Sequence, residues 1–224
     1  MQSGNVIDGV NAFLLVFAAL FPVVNPLGSA PIFLSLTSDC TDQERSRLAR
    51  GVAFNGFWLL LGSLILGSEI LEFFGITVPV VRVAGGLPVT AMGWKLLNEG
   101  TNPPEREAVK AEGRSQQRHD SFYPLTLPLT VGPGSISVAI TIGSHRSAAA
   151  SVSHLLLLVG GAVAGIIAIC ITIFVCYRFA EQLARFLGQV GINVMVRLSA
   201  FILVCIGIQI AWSGISALAA TIVR

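Results

Sequence analysis

The sequence predicts an all-α polytopic membrane protein, with six transmembrane helices forming two inverted three-helix repeats and a broken first helix in each half. Three observations lead there. Of 224 residues, 54% are hydrophobic and 12% charged, whereas soluble domains carry about 25% charged residues. The charges cluster in Asp39–Arg50, Lys95–Asp120, Arg178–Arg185 and the extreme C-terminus. The apolar runs between them approach the roughly 20 residues that span a bilayer core. Finally, a Pro- and Gly-rich pattern in the first apolar run returns in the fourth.

The crossings are expected at Val10–Leu36, Val52–Leu71, Val78–Leu97, Phe122–Ile142, Leu155–Tyr177 and Val194–Ala220. All are expected to be helical, because a helix satisfies its own backbone in lipid. The first run has no Lys or Arg before Arg45 and passes through Pro and Gly to Leu36 without a clean cleavage site. It reads as a retained crossing rather than a signal peptide.

Basic residues orient the chain. Loop one holds Arg45, Arg47 and Arg50; loop three holds Lys95, Arg106, Lys110, Arg114 and Arg118; loop five holds Arg178 and Arg185. Loop two has none before Arg82, and loop four has only Arg146. Loops one, three and five are therefore expected in the cytoplasm. In a bacterium this places the protein in the inner membrane with both termini periplasmic. Residues 1–97 form the first repeat, 98–121 a polar cytoplasmic linker containing Asn102-Pro103-Pro104, and 122–224 the second repeat.

The halves share ordered features. Phe21-Pro-Val-Val-Asn-Pro-Leu-Gly-Ser29 matches Leu127-Pro-Leu-Thr-Val-Gly-Pro-Gly-Ser135 with one inserted residue, aligning Pro22 and Pro26 with Pro128 and Pro133. Phe74-Gly75 precedes Arg82, and Leu187-Gly188 precedes Arg197. Three crossings per half is an odd number, so the halves enter the membrane from opposite sides, as in many secondary transporters.

Pro22, Pro26 and Pro31 lie within one crossing, and each interior Pro costs a helix about 3 kcal/mol. Two half-helices are expected, with Asn25 capping the second and Pro26 at its first position. Pro133 starts the matching half-helix after Gly132 or Thr130. Freed backbone groups are tolerated only against protein or a water-lined cavity. Helix N-termini carry partial positive charge and free N–H donors. Two such ends meeting near the midplane would hold an anionic group such as a carboxylate. Asn25, Pro26, Gly28, Ser29, Thr130, Gly132, Pro133, Gly134 and Ser135 are the candidate substrate-binding residues, with Thr126 and Ser137 as further hydrogen-bonding groups. Pro kinks that only bend helices for packing are the competing reading, and the matching breaks in both halves favour a site.

Among other intramembrane groups, Glu69 and Arg82 form a candidate ion pair, structural or proton-coupling, and Glu181 stands in the same relation to Arg197. Asn55 and Gln209 read as interhelical hydrogen-bonding residues. Gly161-Ala-Val-Ala-Gly165 allows close helix approach, inside the bundle or between protomers of a homo-oligomer. The four cysteines form no CxxC pair, and the three histidines are dispersed. No catalytic triad order, HExxH or phosphate loop occurs, so neither an enzyme nor a cofactor or metal site is expected. A net charge of +2 without a basic stripe argues against nucleic-acid binding.

Asn25-Pro-Leu-Gly-Ser-Ala-Pro-Ile-Phe33 resembles the signature of the MarC family of bacterial and archaeal inner-membrane proteins. Arg82-Val-Ala-Gly-Gly86, Pro124-Leu-Thr-Leu-Pro-Leu-Thr-Val-Gly-Pro-Gly-Ser-Ile136, and Arg197 with Gln209 are similar to later stretches of that family. Ala200 departs from the Gly expected three positions after the Arg. The resemblance implies small-solute transport, specifically efflux or exchange of small neutral amino acids such as Gly, Ala or Ser. A non-transporting scaffold or regulatory protein, and a passive channel, are the alternatives.

Overall fold

The computed structural model describes residues 2–99, 121–123, 125–144 and 152–222. Among these, every regular element is an α-helix: α1 (Gln2–Val24), α2 (Pro26–Leu36), α3 (Asp42–Phe73), α4 (Val78–Glu99), α5 (Pro133–Ser144), α6 (Val152–Arg178) and α7 (Ala180–Ile222). Four helices, over Ile7–Val24, Asp42–Phe73, Leu155–Arg178 and Ala180–Thr221, are long and apolar enough to cross a bilayer. The chain is therefore a multi-pass membrane protein. Most of the expected linker 98–121, together with His119, His145 and Arg146, lies outside the described residues.

Two helices start earlier than their apolar runs suggest. α3 begins at Asp42 because Thr41 and Glu44 form a reciprocal capping box, with Thr41 N–H on Glu44 Oε2 at 2.8 Å. Its 32 residues extend about 48 Å, longer than an upright crossing of a bilayer core of about 30 Å requires. α7 begins at Ala180 and turns at Gly188, where φ is 62°. Gly75, before α4, has φ 68°. Both corners need a backbone conformation that only Gly adopts without strain.

The fourth segment corrects the expectation of helix throughout. Residues 121–123 and 125–130 form turns, and among the described residues of this segment only Pro133–Ser144 are helical. Pro128 supplies no N–H to a helical ladder. The neighbouring N–H groups of Leu127 and Val131 reach back five residues, to Phe122 O at 2.9 Å and Thr126 O at 2.8 Å, a wider winding than the α-helix.

Small residues set the packing. The broadest helix contact joins α4 to α7. Gly93 lies against Ala200 and Val204, Gly86 against Gly207 and Ala211, and Gly214 against Pro79 and Val83. Rising numbers on α4 meet falling numbers on α7, so the two run antiparallel. Gly9 lies against Leu157, and Gly161 and Gly165 against Gly9, Phe13 and Val16. α1 and α6 therefore run parallel, in contact through the GxxxG face. Gly51, Gly56 and Gly67 meet Ser121, Val131 and Ile140 in that order, so α3 runs parallel to the turn segment and α5. The buried core gathers Leu20, Phe33, Leu60, Leu125, Ile166 and Tyr177 between these elements.

A Cβ on Gly86 would sit 2.5 Å from Ala211 N and 2.6 Å from Gly207 O, backbone atoms that cannot step aside. Overpacking of this kind costs about 1–3 kcal/mol. Gly86→Leu is expected to lower the thermal unfolding midpoint in detergent. Gly62→Leu, where nothing lies within 4 Å of the added Cβ, is expected to leave it unchanged.

Candidate functional site

The first break is a single residue. Asn25 adopts φ 49° and ψ 57°, between α1 and α2, and Asn is one of the few non-Gly residues that tolerate this region. Its backbone still joins both sides, through Asn25 N–H on Phe21 O at 2.9 Å and Ser29 N–H on Asn25 O at 3.0 Å. Its side-chain oxygen accepts from Gly28 N–H at 3.2 Å, with Pro26 at the first helical position. Gly28 is required here, because a Cβ would lie within 2.8 Å of the Asn25 carboxamide. Pro22 and Pro31 lie inside α1 and α2, which continue through them.

The second break is longer and held by hydroxyls. Thr126 Oγ1 donates to Ser121 O at 2.6 Å and Thr130 Oγ1 to Leu125 O at 2.7 Å. Gly132 ends the turns, and Pro133 opens α5. Ser135 Oγ donates back to Gly132 O at 3.0 Å, and Ser137 Oγ to Val81 O of α4 at 2.9 Å. The bonds to Ser121 O and Leu125 O supply carbonyls of the turn segment, where no regular helix does so.

The two breaks are neighbours. A Cβ on Gly134 would lie 3.4 Å from Val23, two residues before Asn25, and in collision with Val89, so only Gly lets the start of α5 approach α1 and α4 this closely. Tyr177, at the end of α6, joins the breaks chemically. Its phenol oxygen is 2.7 Å from Thr130 Oγ1, and the Ser29 side chain is nearby. Thr130 has one proton and places it on Leu125 O, so Tyr177 donates to Thr130. The Phe33 ring stacks on Tyr177 at 4.3 Å between centroids. Ser29, Thr126, Thr130, Ser135, Ser137 and Tyr177 are all buried. None of the six is ionised at neutral pH.

The charged candidates lie elsewhere. Arg82 and Glu69 make no ion pair with each other. Arg82 Nε donates to Thr141 Oγ1 near the end of α5 at 3.4 Å, while Glu69 is exposed. Arg197 is exposed on α7, and Glu181 pairs with Arg45 and Arg185 instead. Asn55 Nδ2 reaches Ser121 Oγ at 3.4 Å, a bond from α3 to the turn segment rather than between two helices, and Gln209 is exposed. Among the described residues, no three His, Cys, Asp or Glu side chains gather as a metal site requires.

The family comparison covers the whole of this architecture. A family model described as MarC family integral membrane protein matches residues 10–219. The chain belongs to the MarC family. Relatives in that family include the membrane protein YvbG of Bacillus subtilis, 29% identical over 89% of this chain and 92% of its own length. The inner membrane protein MarC of Salmonella paratyphi B and that of Escherichia coli are each 28% identical, over 93% of this chain and 96% of their own length. No solved structure matches the chain. The family names and the apolar helices together make this member a multi-pass inner-membrane protein.

Among the described residues, Thr130 is the only hydroxyl tied to both a backbone carbonyl and Tyr177. Tyr177→Phe removes one hydrogen bond and keeps the ring stack, an expected loss of about 1 kcal/mol. Thr130→Val strands both the phenol proton and the Leu125 carbonyl, so a larger loss of about 1–3 kcal/mol is expected. Unfolding in detergent followed by tryptophan fluorescence ranks the two. A greater loss for Tyr177→Phe would contradict the proton order assigned above.

Proposed function

We propose that this protein is a secondary transporter of small neutral solutes, exporting or exchanging amino acids such as Gly, Ala or Ser. One observation carries the reading: a broken segment from each half reaches the same buried point, with the N-terminal turns of α2 and α5 beside it. Those turns offer backbone N–H groups and the positive ends of helix dipoles to a carboxylate. The six hydroxyls around them suit a neutral or zwitterionic solute, and none supplies a fixed positive charge.

The architecture proposed is an inverted repeat of three crossings per half, with both termini periplasmic. The helix contacts support it. Exchanging the halves turns the α1–α6 contact into that between the fourth segment and α3, and both are parallel. It turns the α4–α5 contact into the α7–α2 contact, and both occur. The α4–α7 and α3–α6 contacts map onto themselves. Such a pattern is what a two-fold relation in the membrane plane produces. The positive-φ glycines, Gly75 before α4 and Gly188 at the turn within α7, match under the same exchange. The basic loops set the orientation.

Purified protein in liposomes is expected to move labelled alanine or glycine in a saturable manner. Asn25→Leu removes the cap and the left-handed tolerance at the hinge. It is expected to abolish uptake while leaving expression intact. Normal uptake by Asn25→Leu, or flux that rises with concentration without saturating, would sink the reading.

A further inference from the structure

One charged side chain is buried where neither half can satisfy it alone. Arg45, in the first turn of α3, has a side chain only 10% exposed. One guanidinium nitrogen bonds Asp42 at 3.1 Å and Glu181 at 3.0 Å. The other donates to the carbonyls of Thr37 at 3.3 Å and Cys40 at 3.4 Å. Thr37 and Cys40 close the C-terminal end of α2, where a positive charge is favoured by the helix dipole. Glu181 belongs to the other half, in the first turn of α7, and also binds Arg185.

The position of this pair gives it a role. α2 is a lever of 11 residues, about 16 Å long. One end is the Asn25 hinge, and the other is held by Arg45. Along it, Ser29 and Phe33 meet Tyr177. Tyr177 and Glu181 lie four residues apart across the α6–α7 corner. The α2–α3 corner is thus fastened to the α6–α7 corner twice, by the aromatic stack at the site and by the ion pair outside it. Phe33 and Tyr177 are both fully buried, so this end is sealed.

Resting on the transporter reading, we propose that Arg45–Glu181 is a reversible latch. It holds one mouth of the path shut, and α2 swings on Asn25 when it opens. Asp42 cannot substitute, because it moves with Arg45 on the same helix. Loss of Glu181 leaves Arg45 without its cross-half partner and favours the open arrangement.

Cys40 reports opening without any substrate. It is buried under the latch, and burial together with the Glu44 carboxylate raises its thiol pKa, so it reacts slowly while the latch is closed. The full chain in liposomes is labelled with a maleimide, and Cys40 is read separately from Cys170, Cys176 and Cys205 by peptide mass spectrometry. Glu181→Gln is expected to speed Cys40 labelling about tenfold or more. Arg185→Gln, which leaves Glu181 to Arg45 alone, is expected to slow it or leave it unchanged. An unchanged rate in Glu181→Gln overturns the latch. Should Glu181→Gln not purify as a monodisperse protein, the parent is labelled in rising salt, which screens the partly exposed Glu181. Faster labelling supports the latch, and a flat profile overturns it. Labelled-alanine flux is measured in the same liposomes. Fast Cys40 labelling without flux in any protein keeps the latch and removes the transport reading. Flux with unchanged Glu181→Gln labelling does the reverse.

Discussion

Everything in this molecule answers to one constraint: a backbone polar group inside a bilayer must find a partner within the protein. Unbroken helices meet it automatically, and most of the chain does so. The two departures are met differently. At Asn25 the break is one residue long, and the carboxamide caps the helix that follows. Before α5 the break is a run of turns over 125–130, and Thr126, Thr130 and Ser135 each place a hydroxyl proton on a carbonyl. Tyr177 then closes the polar cluster between them. An irregular segment this well supplied costs little to keep. It also presents helix N-termini in a place where lipid would otherwise forbid them.

The glycine contacts follow from the same constraint. Apolar side chains gain little by leaving lipid for one another, so helices in a membrane associate by fit. Gly86 and Gly207 bring α4 and α7 to backbone contact, and Gly161 does the same for α6 on α1. Close approach on these faces fixes where the broken segments lie. The start of α5 can sit against Val23 because Gly134 carries no side chain.

Much of this was legible in the sequence, and the reasons are local. Asn25-Pro26 is a cap followed by a residue without an N–H, which can be read without knowing the fold. The GxxxG run and the Gly corners before Arg82 and Arg197 are likewise short patterns with a physical meaning. The turn segment was less legible, because Pro128 and Pro133 mark a break without saying how wide it is. Tyr177 looked like the end of an apolar run, although a phenol there needs a partner; that partner is 47 residues away. Arg45 counted as one of three loop arginines. Its burial depends on Glu181, 136 residues distant, and no local pattern encodes such a pairing. The Glu69–Arg82 pairing failed for the converse reason: nearness in sequence across a hairpin does not bring side chains together when α5 offers Arg82 a closer hydroxyl in Thr141.

The distribution of charge bears on mechanism. The buried polar centre holds hydroxyls and backbone amides, while the salt bridges among the described residues, joining Asp42, Arg45, Glu181 and Arg185, lie at one end of the bundle. Under the transport reading, binding and gating then rest on different chemistry. Dipoles at the centre attract a carboxylate without a counter-ion that would have to be desolvated again when the solute leaves, so release is not opposed by a strong fixed pair. The charged latch makes no contact with the hydroxyl cluster, so its opening need not alter what the centre recognises. α2 connects the two, since its first turn contributes Ser29 to the centre and the carbonyls just beyond its last turn hold Arg45. Coupling between occupancy and opening has a direct route through those 11 residues, and the single left-handed residue just before them is where the backbone can absorb it.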